Sequence, residues 1–387
     1  MNGELEDPTG IDAWEAMKLA MPPLTEEEQA QCDAFIAQVR RPVAPGDARR
    51  HHFIAQFFQR RFANADERLT VVPLDDPENP RTPHISDIAV RRDLYTHIDE
   101  DIGETIAVER ILAVIEENAA RALQTFDSGV RPFPASNEDR GHLAAWIAFQ
   151  LVRDPYTRRE MEALADQSIK MQLSLWKTPE AARSHLEETL GREPLGEEVS
   201  EFVDAIAEIG EDGVEFIPHQ NDFIGIMLDC GQAMFPHIFR RSFSVMHFGE
   251  PGLVLCDQPV VLYRRSPNRN PPFTGVGVVN ADEVWLPLDR HNVLVLHDRE
   301  VPLSGVVNAP SMLRDSFNQA IIANAKSEIY CHPDDLHVVR AAQLPEPNRP
   351  IFGMDGGSWL IGQTDGVNNP PKRRKPHRYR RAGKGAA

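Results

Sequence analysis

The chain has 387 residues, 41% of them hydrophobic and 26% charged, with a formal net charge of −18. Those fractions describe a globular protein able to bury a large core and exclude a wholly disordered chain. The absence of about 18 consecutive apolar residues gives no sign of a membrane-spanning helix. The start, MNGELEDPTGIDAWEAMK, is acidic and lacks the basic-then-apolar order of a secretory signal. Cys32, Cys230, Cys256 and Cys331 are scattered with no C-x-x-C pair, which argues against a disulfide framework or zinc knuckle and fits a reducing cytoplasm.

In chain order, residues 25–40 predict a helix with a Thr25–Glu28 capping box and Pro42 beyond its end. A loop follows, and a second helix is expected to begin near His51. Ile54, Phe57, Phe58 and Phe62 make its apolar stripe, with His52 and Gln56 one turn apart beside it. Leu69–Leu74 reads as a strand, 104–126 as a long helix, and about 138–154 as another, with Pro155 one position on. Thr178–Pro179 starts a helix that Gly191 stops, and 198–209 and 220–239 add two more.

After Ser242 the runs become short and β-branched between Gly, Pro, Asn and Asp, which predicts a strand-rich antiparallel segment near 242–298. A closing helix is expected near 311–330. The fold class is therefore α+β, with the N-terminal two-thirds mostly helical. The expected divisions are an acidic extension over 1–48, a single α+β domain over 49–340, and a Gly/Pro-rich and basic disordered tail over 341–387. That tail holds eight Lys/Arg and no acid between Lys372 and Lys384, so the rest of the chain carries −26 (−18 less 8). The run can bind nucleic acid or an acidic partner, or serve as a solvated tail.

Four stretches could carry chemistry. His52 and Gln56 could hold a ligand or pair for proton transfer; alternatively His52 bonds a backbone carbonyl. In LAAWIAFQLVRDP, Gln150 and Arg153 intrude on an apolar surround. Arg153 must there meet an anion or a structural partner such as Glu109. Asp257 interrupts the apolar run GLVLCDQPVVLY just before Pro259, as a general base, a metal ligand or a turn-former. Glu328, His332, Asp334 and Asp335 could suggest a metal, although the H-P-D-D turn explains them structurally. No P-loop, nucleophile elbow, H-E-x-x-H helix or dinucleotide fingerprint is present.

Five blocks taken in order carry a resemblance: HHFIAQFFQRRFA (51–63), AFQLVRDP (148–155), LCDQPVV (255–261), WLPLDRHNVLVL (285–296) and FNQAIIANAKSEIY (317–330). They resemble the mainly bacterial domain-of-unknown-function family 4238, whose members open with a similar H-x-x-x-Q-[FY] signature. The likeness spans about residues 50–335. The chain departs from the family pattern at Ala55, where members usually have Pro, and at Cys256, where they usually have Ser. Neither change removes a charged or imidazole group. The resemblance implies an intracellular role without an established activity, and points to His52, Gln56, Gln150, Arg153 and Asp257.

Three functions follow as expectations. One is a hydrolase-like enzyme in which His51 or His52 works with Asp257 and Arg153 holds an anion of a small-molecule substrate. The second is a non-catalytic ligand- or partner-binding protein, and the third a nucleic-acid-associated protein acting through the basic tail. The sequence leaves any metal or cofactor unspecified.

Overall fold

A computed structural model describes residues 25–209, 217–265, 276–298 and 305–347. The basic run 372–384, the Gly/Asn/Pro-rich 353–371, the first half of the acidic extension and the Glu28 side chain of the expected capping box lie outside the described residues.

Helices and antiparallel sheets coexist, as expected of an α+β chain. The helices are α1 (Glu26–Val39), α2 (Gln56–Arg60), α3 (Ala107–Asp127), α4 (Asn137–Gln150), α5 (Pro155–Trp176), α6 (Pro179–Leu190), α7 (Gly196–Ile209), α8 (Gln220–Phe239), α9 (Ser311–Asn324) and α10 (Leu336–Ala341). Local chemistry explains several ends. Ser136 accepts the Asp139 N–H at 3.0 Å to open α4. Thr178 caps α6, and Gly191 closes it in the left-handed conformation at φ 65°. None of the described helices is long and apolar enough to cross a membrane.

Two expectations near the sites change. No helix starts at His51: residues Arg50–His52 form strand β1, paired antiparallel with β3 (Val90–Arg92), and α2 begins only at Gln56. The helical spacing of the apolar residues is nevertheless used for packing. Ile54, Phe58 and Phe62 are fully buried, and Phe58 meets Trp146 of α4 edge-on with centroids 4.9 Å apart. Similarly, α4 ends at Gln150 rather than near Asp154. Asp154 instead caps α5, accepting the N–H groups of Tyr156 (2.8 Å) and Thr157 (3.0 Å).

The remaining strands are β2 (Thr70–Pro73), β4 (His97–Asp99), β5 (Gly103–Thr105), β6 (Ser242–His247), β7 (Leu255–Cys256), β8 (Val261–Tyr263), β9 (Glu283–Pro287), β10 (Asn292–His297), β11 (Gly305–Asn308) and β12 (Glu328–Cys331). The order β11-β6-β10-β9-β8 makes a five-stranded sheet. It is antiparallel except for β11, which lies beyond the expected strand-rich segment and runs parallel to β6. The run VGVV is no strand where described; 278–280 form a turn.

The closing helix stops at Asn324, and β12 enters a three-stranded sheet between β2 and β7. Asp257 enforces that stop. Its carboxylate accepts the N–H groups of Lys326, Ser327 and Glu328, which a continuing helix would have bonded to its own carbonyls. Asn318 enters the core as expected: its amide donates to the Gly252 carbonyl at 2.8 Å and accepts the Val254 N–H at 3.1 Å.

Candidate functional site

Successive strand residues point to opposite faces, so the adjacent histidines of β1 have different fates. His51 is fully buried. Its Nδ1 accepts the Tyr95 N–H at 2.9 Å, which leaves Nε2 as the donor to the Ala48 carbonyl at 3.2 Å. Its ring lies parallel to that of Tyr95, at a 1° interplanar angle. Burial holds the imidazole below its ordinary pKa, so His51 is a neutral, single-tautomer structural group.

His52 is only half-buried and faces the other way. The Gln56 amide nitrogen lies 3.3 Å from its Nε2 and 3.5 Å from its Nδ1, a near-equal approach that selects neither tautomer. Gln56 reaches this place as the first residue of α2, not as a helical neighbour one turn on. Burial pushes the His52 pKa down, outweighing the opposing pull of the Ser86 carbonyl and the Glu116 carboxylate.

Opposite this pair runs one face of α3. Glu109, Ala113, Glu116 and Ala120 recur at helical spacing, and the two alanines leave room for a cleft of about 340 Å³ bounded across by His52, Gln56 and Phe57. Glu117 lines the cleft as well, and the acids Glu109 and Glu116 differ in their partners. Glu116 accepts from Arg153 Nη1 at 2.5 Å, whereas Glu109 has no hydrogen-bond or ion-pair partner among the described residues. Burial, then the neighbouring Glu116 charge, raises the Glu109 carboxyl to about 7.

Arg153 itself is 1% exposed. Its Nε and the Gln150 amide both donate to the Phe53 carbonyl, at 3.0 and 2.8 Å, and its own carbonyl accepts from the Tyr95 hydroxyl at 2.9 Å. The ion pair foreseen for Arg153 is thus present, with Glu116 in place of Glu109. Gln150 and Arg153 fix the β1–α2 connection to the end of α4. They do not line the cleft.

Asp257 does not line the His52 cleft. It is fully buried at the end of β7 and accepts three backbone N–H groups, from Lys326 (2.8 Å), Ser327 (2.7 Å) and Glu328 (3.1 Å). Burial raises its carboxyl to about 6, against the pull of those donors. His332 accepts the Asp334 N–H at 3.1 Å in a 3₁₀ turn, and Asp335 pairs with Arg290 at 2.7 Å. Among the described residues no group of three or more His, Cys, Asp or Glu side chains is placed to hold a metal ion.

Sequence reasoning named Glu109 only as a partner for Arg153 and missed Glu116, Tyr95 and the cleft face of α3. The spacing of Glu109, Ala113, Glu116 and Ala120 is a signal in the sequence, but the residues facing it, His52, Gln56 and Phe57, lie far from them along the chain.

The described residues of this α+β protein set a half-buried histidine across a cleft from the carboxyls of α3, of which Glu109 has no hydrogen-bond or ion-pair partner among them. The model of the family described as "Protein of unknown function (DUF4238)" matches residues 50–335, and the chain belongs to that family. No curated protein and no solved structure matches it.

Proposed function

We propose that the chain is a hydrolase-like acid–base enzyme acting on a small polar molecule in the His52–Glu109 cleft. The observation that supports this reading is the pairing of a neutral imidazole with a carboxyl poised near pH 7 in the same cleft, one able to accept a proton and the other to donate it. In this reading His52 is the base and Glu109 the acid, and Gln56 steadies the imidazole. Arg153 holds Glu116 in an ion pair, whereas Glu109 has none among the described residues. Asp257 and His51 have structural roles.

A second reading, a non-catalytic binding protein, is favoured by the complete engagement of His51 and Asp257 in backbone hydrogen bonds. One experiment separates the two. A panel of chromogenic carboxylic esters, amides and phosphate esters is assayed with the unmodified chain, His52→Ala and Glu109→Gln. The enzyme reading expects turnover of at least one substrate class, reduced about a hundredfold or more by each substitution. Turnover indifferent to both changes, or none across the panel, rejects it.

A further inference from the structure

A second cleft, of about 550 Å³, shares no lining residue with the first. It forms where β3 and the residues after it face the first turns of α5. Two Arg–Arg pairs, Arg91–Arg92 and Arg158–Arg159, line it in a chain whose net charge is −18. Its two carboxylates are already neutralised. Asp93 accepts from Arg49 at 2.5 Å and from Arg92 at 3.3 Å, and Glu162 accepts from Arg158 at 2.7 Å. Four guanidinium groups against two carboxylates leave the lining net positive in a net-acidic chain, the arrangement that concentrates an anion.

The guanidinium groups are held in position before any ligand arrives. Arg158 lies 5.0 Å from the Phe223 ring and donates to Gln220; Arg159 lies 4.7 Å over the Tyr156 ring. Arg91 donates to the Val90 carbonyl at 3.0 Å and has no carboxylate partner among the described residues. The helix end contributes little, because Asp154 already takes the Tyr156 and Thr157 N–H groups. The arginines carry the recognition. Planar guanidinium forks match the paired oxygens of a phosphoryl group. The volume exceeds that of a bare phosphate, and Leu94, Pro155 and Tyr156 supply apolar wall beside the arginines.

We propose that this cleft binds a phosphomonoester, with Arg91 and Arg159 on the phosphoryl oxygens and the organic part against Leu94, Pro155 and Tyr156. The test is isothermal titration of the full chain with phenyl phosphate, inorganic phosphate and phenol at low ionic strength. Phenyl phosphate is expected to bind about tenfold more tightly than inorganic phosphate, and phenol not at all. Arg91→Ala and Arg159→Ala should each weaken phenyl phosphate about tenfold. Arg192→Ala, which removes an exposed pair with Glu198 outside the cleft, should leave it unchanged. A melting curve for each variant verifies folding, and Arg91 is exposed, so its replacement leaves the core intact. No binding of phenyl phosphate, or binding unaffected by both cleft substitutions, overturns the site. Equal affinity for inorganic phosphate overturns the phosphomonoester assignment.

Discussion

Arg153 donates to Glu116 across 2.5 Å with the arginine almost wholly out of water. Removing one partner of such a pair leaves the other uncompensated, and here the Phe53 carbonyl also loses a donor. Arg153→Met is therefore expected to lower unfolding free energy by about 3–5 kcal/mol. Glu116→Gln, which keeps an acceptor oxygen, should cost less. Urea unfolding measures both, and a loss below about 1 kcal/mol for Arg153→Met would contradict the structural role.

Asp257 presents two oxygens to three N–H donors. Asp257→Asn turns an amide NH₂ toward at least one of them, at an expected cost of about 1–3 kcal/mol per group left unsatisfied. The effect should be local as well as global. Hydrogen exchange of the Ser327 and Glu328 amides is expected to accelerate before that of the β9–β10 ladder, and uniform acceleration would show that Asp257 holds no particular segment.

Glu109 gives a pH dependence of definite sign. Its carboxyl lies at about 7 in the folded chain, raised by burial first and Glu116 second from an ordinary value of 4.5. The folded state then binds the proton more tightly than the unfolded one. The resulting stabilisation is complete below about pH 4.5 and is lost as pH rises through 7. Glu109→Gln should consequently gain on the unmodified chain between pH 5 and pH 8, by at most about 3 kcal/mol after partial exposure is discounted. A difference curve flat across that interval is the contrary result.

Gly231 of α8 faces the Phe149 ring of α4. A Cβ there would stand 2.5, 2.8 and 2.9 Å from three ring carbons. Alanine is the better helix former by about 1 kcal/mol, but overpacking a buried ring costs about 1–3 kcal/mol. The clash should win. Gly231→Ala is expected to lower the melting temperature, and Phe149→Leu in the same chain should recover part of the loss.

How much of this was legible in the sequence depended on the range of the interaction that decides each element. The ends of α6 were readable because Thr178, Pro179 and Gly191 act on their immediate neighbours. β1 was read as helix because Ile54, Phe57, Phe58 and Phe62 have helical spacing, while its partner Val90–Arg92 lies 40 residues on. β12 was absorbed into the preceding helix for the same reason: the groups that end that helix and pair the strand come from Asp257, β2 and β7. His52 and Gln56 do lie side by side, but through a strand and a helix start and not through one helical turn. What lies opposite them is a fact of tertiary packing.

The shared acceptor for Gln150 and Arg153 is a main-chain oxygen, that of Phe53. No substitution at position 53 can delete it, since every residue supplies the same carbonyl. Side-chain identity there answers only to the fit of the core, where Phe53 is 1% exposed. The hydrogen-bonding obligation therefore falls entirely on the donors at positions 150 and 153. A search of variants for restored function after loss of Arg153 should find compensation along α3 and α4, and none at Phe53, whose oxygen keeps only the Gln150 donor.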